Sequence, residues 1–251
     1  MQGMLHALRT ATEFLLDTGL NTSNVAIPEY FSHEQQSLLT SAFEAEGLQR
    51  SRPSFSTAGG AASRANGVSL CDPESCDYRQ TKPQIFLTVD YSRSSLTLVS
   101  WVEEYTVSEH FNILHDVDLG ADALAHGTES EQEEYWGDVK QFIEKIAQVS
   151  DSLPEDYESI TPKVISQVVL LGDRVLNRRL LSILRDALGP HLVSTALSND
   201  EQGPAPPFVD PVFAAARGVA AGSREMIVHG RWDCEAPGYC DEPRTMGHSE
   251  L

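Results

Sequence analysis

The chain has 251 residues, 41% of them hydrophobic and 22% charged, a balance that supports a folded globular core. Its formal charge of −19 argues against a nucleic-acid or anionic-membrane partner, because phosphate binders need Lys and Arg to displace counterions. No run approaches the roughly 20 apolar residues that cross a bilayer.

In chain order, Leu5, Leu8, Thr12, Leu15 and Leu16 recur at helical spacing and predict an amphipathic helix over 4–18, ending near Gly19. His6, Arg9 and Glu13 interrupt this stretch, which lacks the layout of a secretory signal, so a cytoplasmic address is expected. A short apolar strand at 25–28 is closed by Pro28. Ser32-His33-Glu34-Gln35 then opens a second helix to about Glu46, with Leu38, Leu39, Ala42 and Phe43 on one face and Gly47 as its stop. From 50 to 82 the chain is rich in Ser, Gly, Pro and Ala, and only 61–67 is predicted to hold a helical turn or two.

Residues 85–90 read as a buried strand and 96–102 as an alternating one; the polar turn between them predicts a β-hairpin. A further strand is expected at 111–117, before Leu119-Gly120-Ala121-Asp122. The acidic run 129–134 leads into an amphipathic helix over 135–149 and reads as its solvated start, favoured there by the helix dipole. Val164 to Leu171 predicts a buried strand ending at Gly172, and a helix over 176–188 stops at Gly189-Pro190. Beyond a Pro-rich spacer at 204–207, Asp210-Pro211 opens a small-residue helix through Ala221, and 225–251 reads as a flexible tail. Helices alternating with strands after a hairpin imply an α/β fold.

Cys71, Cys76, Cys234 and Cys240 lack zinc-ribbon spacing and read as reduced loop thiols, with a local disulfide or a weak metal site as the alternatives. His33, His110, His115 and His126 show no catalytic spacing with acids, and surface or capping roles are expected of them. A serine-hydrolase elbow, Gly-x-Ser-x-Gly, does not occur.

Six segments, taken in order, carry a resemblance. Val25-Ala26-Ile27-Pro28-Glu29-Tyr30-Phe31 and its helix, Ala61 to Val68, Ile85 to Asp90 with its turn and Leu119 to Asp122, Val168 to Asp173, and Asp210 to Ala220 resemble successive motifs of the 70-kDa heat-shock chaperone ATPase domain, in its divergent, fungal-type members. The resemblance implies part of an actin-like, ribonuclease H-like ATPase fold. Residues 4–82 would be a remnant of the first lobe with its Ser/Gly-rich connection, and 83–224 the second lobe. The family's first phosphate hairpin and its lysine-bearing strands have no counterpart among the matched segments, nor do the peptide-binding domain and lid.

Matched residue by residue, the second phosphate motif keeps its Asp as Asp90, while its three glycines become Ser92, Arg93 and Ser94, its Thr becomes Ser95, and its second Asp becomes Thr97. Of the two adjacent glycines in the adenosine motif only Gly172 remains, followed by Asp173. The Glu and Pro of the hinge motif fall at Ala58 and Gly59. The implied site is a residual one for ATP or ADP with magnesium, made by Asp90, Ser92, Arg93, Ser94, Ser95, Gly172 and Asp173, with Asp90 as an indirect magnesium contact. No catalytic residue is assigned. The expected function is a chaperone-like ATPase-domain fragment without hydrolysis, binding nucleotide weakly or serving as a scaffold for protein partners or self-association. The alternative is part of a longer ATP-binding chaperone-like ATPase whose first phosphate loop lies outside this sequence.

Overall fold

The computed structural model describes residues 2–50, 55–68, 83–104, 107–148, 164–197 and 209–229. The four cysteines and the 204–207 spacer lie outside them. The elements are α1 (Gln2–Leu16), β1 (Thr22–Ser23), β2 (Ala26–Ile27), α2 (His33–Ala45), β3 (Gln49–Arg50), β4 (Ser56–Thr57), α3 (Ala58–Ala65), β5 (Gln84–Tyr91), β6 (Leu96–Glu104) and β7 (Val107–Asp116). A 3-10 turn (Ala121–His126) follows, then α4 (Glu129–Ala147), β8 (Ile165–Leu171), α5 (Arg178–Leu188), α6 (Pro190–Leu197) and α7 (Ala214–His229). The fold is mixed α/β.

A four-stranded sheet in the order β7-β6-β5-β8 organises the molecule. β5, β6 and β7 run antiparallel as a meander, and β8 lies parallel to β5. β5 is covered on both faces, which explains its nearly continuous apolar run. Its alternation sends Ile85, Leu87, Val89 and Tyr91 into a large core shared with α4, α5 and α6. Phe86 points the other way, into a core with Trp101, Val169, Ala62 and Ala214 beneath α3 and α7. There a methyl group on Gly218 would collide with the Ala61 backbone, so α7 crosses α3 in backbone contact.

A third core joins Leu5 of α1 to Ile27, Leu39, Ala42, Phe43 and Leu48. The Ser32–Gln35 pair forms a reciprocal capping box on α2, as Thr128 and Glu131 do on α4. α1 buries Leu5 alone, while Met4, Leu8, Phe14, Leu15 and Leu16 stay exposed.

Several expectations need correction. The expected hairpin of β5 and β6 is present, but the strand expected at 111–117 begins earlier, at Val107, and pairs along the whole of β6 to make a three-stranded meander. α3 starts at Ala58, three residues before its expected start, whereas the acidic run at 129–134 forms the start of α4 as its composition suggests, capped by Thr128. Gly189, at φ +94°, ends α5 as expected, but Pro190 opens α6, since a proline at the first helical position gives up an amide that has no partner there. α7 continues to His229, into the stretch expected to be a flexible tail, because no breaker interrupts Arg224 to His229. Among the described residues no helix is long and apolar enough to cross a membrane.

Candidate functional site

The carboxyl ends of β5 and β8 meet at one edge of the sheet, where Asp90 pairs with Leu171 and the chain leaves each strand in a turn. Such crevices beyond parallel strand ends are where α/β sheets commonly hold ligands. Gly172, at φ +93°, passes beneath the Tyr91 carbonyl, and a methyl group there would stand 2.7 Å from Asp90 Oδ1. The backbone conformation and the close approach both require glycine. Arg174 N–H donates to the Tyr91 carbonyl at 3.0 Å and ties the two turns together.

The β5–β6 turn is compact. Ser92 N–H donates to the Ser95 carbonyl at 3.0 Å, and Ser92 Oγ lies 3.3 Å from Ser94 Oγ and 3.4 Å from Ser95 Oγ. The Ser92 and Arg93 carbonyls accept from the N–H groups of Ala121 and Asp122, each at 2.9 Å. Gly120 makes this docking possible, since a methyl group on it would be 2.6 Å from Ser95 N.

Arg93 is held by two carboxylates. Its backbone N–H donates to Asp173 Oδ1 at 3.2 Å, and its Nε donates to Asp122 Oδ1 at 3.2 Å. Asp173 Oδ2 also lies 3.7 Å from Arg174 Nε. The predicted residues Asp90, Ser92, Arg93, Ser94, Ser95, Gly172 and Asp173 are thus brought to one edge of the sheet.

Asp90 faces the α3/α7 side together with Thr88, Thr97 and His115, a polar strip left by the alternation of β5, β6 and β7. Burial, with Asp173 adding like charge, pushes the Asp90 carboxyl up to about 6. Across from it Glu29 leaves the end of β2 and accepts from the Gly59 backbone N–H. Burial comes first, and Asp90 contributes, in pushing Glu29 up to about 7. Tyr30 stacks on His115, whose Nδ1 shares a 2.8 Å hydrogen bond with Thr97 Oγ1.

Glu29, Tyr30 and His115 are additions to the residues read from sequence. His115 is half-buried rather than simply on the surface, because its place on β7 sets it beside Thr97 and under the Tyr30 ring. The signal for Glu29 lay in strand pairing: β2 runs parallel to β4 with Ile27 opposite Thr57, which carries Glu29 to Gly59. That pairing joins segments on either side of α2 and β3 and follows no local pattern.

The donor set does not fit a triphosphate as it stands. The Arg93 amide is taken by Asp173, its guanidinium is held by Asp122, and Asp90 and Glu29 add acidic groups to the cleft floor. Among the described residues no group of three or more His, Cys, Asp or Glu is disposed to hold a metal ion. No family model and no curated protein matches the chain.

Proposed function

We propose that this chain is a chaperone-like ATPase-domain relative of the actin-like type that does not hydrolyse ATP and works as a binding scaffold with weak nucleotide contact. The observation that supports this reading is the contact of the β5 end and its turn with the segment after β8, Gly172 lying against Asp90 and Tyr91 and Asp173 bonded to Arg93: two segments that resemble phosphate and adenosine motifs lie hydrogen-bonded at one sheet edge.

Hydrolysis is excluded from the proposal on electrostatic grounds. Phosphoryl transfer is accelerated by preorganised donors and cations aimed at the developing charge. Here Arg93 and Arg174 face Asp90, Asp122 and Asp173, so the local balance is acidic.

The test is calorimetric titration of the protein with MgADP and MgATP, with a thermal melt and a phosphate-release assay alongside. Binding with a Kd of about 1 mM or weaker and no release above background is expected. Release of phosphate that Asp90→Asn abolishes would overturn the non-hydrolysing reading.

A further inference from the structure

Asp173 is engaged as a bound oxyanion would be. One oxygen accepts from the Arg93 backbone N–H at 3.2 Å, the other lies 3.7 Å from Arg174 Nε, and the hydroxyls of Ser92, Ser94 and Ser95 cluster in the same turn. We propose that the 92–95 turn, with Arg93 and Arg174, is an oxyanion seat that the chain fills with its own Asp173 carboxylate, so that a phosphoryl group enters only by displacing it.

The inference rests on the reading of this cleft as a degenerate phosphate site and adds how it is closed. A carboxylate and a phosphate present the same feature to such a seat, a pair of anionic oxygens that accept from a backbone amide and a guanidinium. Asp173 is tethered one residue beyond Gly172, so it competes at the high effective concentration of an intramolecular ligand, whereas free phosphate competes at its bulk concentration. Asp122 assists by drawing the Arg93 guanidinium to the turn's outer side, 3.2 Å from its carboxylate. Asp90 sits close enough for like-charge repulsion with Asp173. That repulsion makes displacement of Asp173 less costly than release of an unopposed partner.

Asp173→Ala vacates the seat while leaving the Arg93 amide, Arg174 and the three hydroxyls in place. The probe is inorganic pyrophosphate, titrated by calorimetry into the wild-type protein and into Asp173→Ala. Binding at least ten-fold tighter in the variant is expected, and Arg174→Ala in the same background, which removes the guanidinium beside Asp173, should remove most of the gain. A folded Asp173→Ala protein with wild-type pyrophosphate affinity overturns the proposal, as does a gain that survives Arg174→Ala in full. Should Asp173→Ala fail to fold, Asp173→Asn removes the charge and keeps an acceptor for the Arg93 amide, and a gain of at least three-fold is then required.

MgADP separates this inference from the functional reading. A variant that gains pyrophosphate but no MgADP upholds the seat and sinks the nucleotide reading. Wild-type protein that binds MgADP as tightly as Asp173→Ala upholds the nucleotide reading and sinks the self-filled seat.

Discussion

The Tyr30 ring lies nearly parallel to the His115 imidazole, with centroids 3.8 Å apart and planes inclined by 20°. The stack joins the turn after β2 to the end of β7, so the small N-terminal part grips the sheet through one aromatic pair beside Asp90. Burial lowers the His115 pKa, with Asp116 working weakly in the opposite direction. Tyr30→Ala should uncover the imidazole and move its pKa up towards the ordinary histidine value. A proton-NMR titration of His115 reads this directly, and an unchanged midpoint would show that the stack does not shield the ring.

Glu29 and Asp90 set a pH dependence whose sign follows from their raised pKa values, about 7 and about 6. Between the unfolded carboxylate range and these values the folded protein binds more protons than the unfolded chain. Their contribution is therefore fully present below about pH 4 and is lost as pH rises through 6 to 7. For Glu29 the difference is on the order of 3 kcal/mol. Glu29→Gln keeps an acceptor for the Gly59 amide and removes the ionisation, so it should raise the melting temperature at pH 8 and leave it nearly unchanged at pH 5. Melts of both proteins at the two pH values test this, and a destabilised variant at pH 8 would contradict it.

Gly172→Ala should destabilise the protein by about 2 kcal/mol or more, since the new methyl group meets Asp90 and the Tyr91 carbonyl in a backbone conformation that side chains avoid. Urea denaturation measures the loss. A neutral result would mean that the two turns do not sit this close in solution.

The buried phenols give a separate prediction. Tyr135 Oη donates to the Leu119 carbonyl at 2.8 Å and lies 2.9 Å from Tyr91 Oη. Burial, aided by Tyr91, raises the Tyr135 pKa strongly. Tyr135→Phe leaves both partners without that hydroxyl and should cost about 1–3 kcal/mol in urea denaturation. Full retention of stability would mean that water replaces it.

The outer face of α1 presents Met4, Leu8, Phe14 and Leu15 to solvent. An apolar helical stripe of this kind favours association, even in a chain with a formal charge of −19. Leu8→Glu with Leu15→Glu should lower concentration-dependent self-association in sedimentation velocity. A wild-type protein that stays monomeric at high concentration would contradict this.

Local signals carried much of the fold. The apolar run of β5, the Ser32 start of α2 and the glycines at 172 and 189 were legible because each is set by its own neighbours. β7 was read four residues short at its start, because Val107, Ser108, Glu109 and His110 gain strand structure by pairing with β6 rather than from their own pattern. α6 was missed because Gly189-Pro190 reads as a stop, although the proline is equally suited to a helix start. At the site, the turn and Gly172 were legible as motifs. The grip of Asp173 on Arg93 and of Glu29 on Gly59 depends on which strand ends the sheet aligns, and no spacing along the chain encodes that.

The backbone crossing at Ala61 and Gly218 bears on how the molecule is assembled during synthesis. α3 leaves the ribosome long before α7, so the face formed by Ala61 and Ala62 must wait for the last described helix to be made. Until then that face stands uncovered as a transient sticky surface. Folding of this part of the chain is thereby tied to completion of α7, and a nascent chain stalled before residue 209 would be a natural client for the holding factors that shield such surfaces.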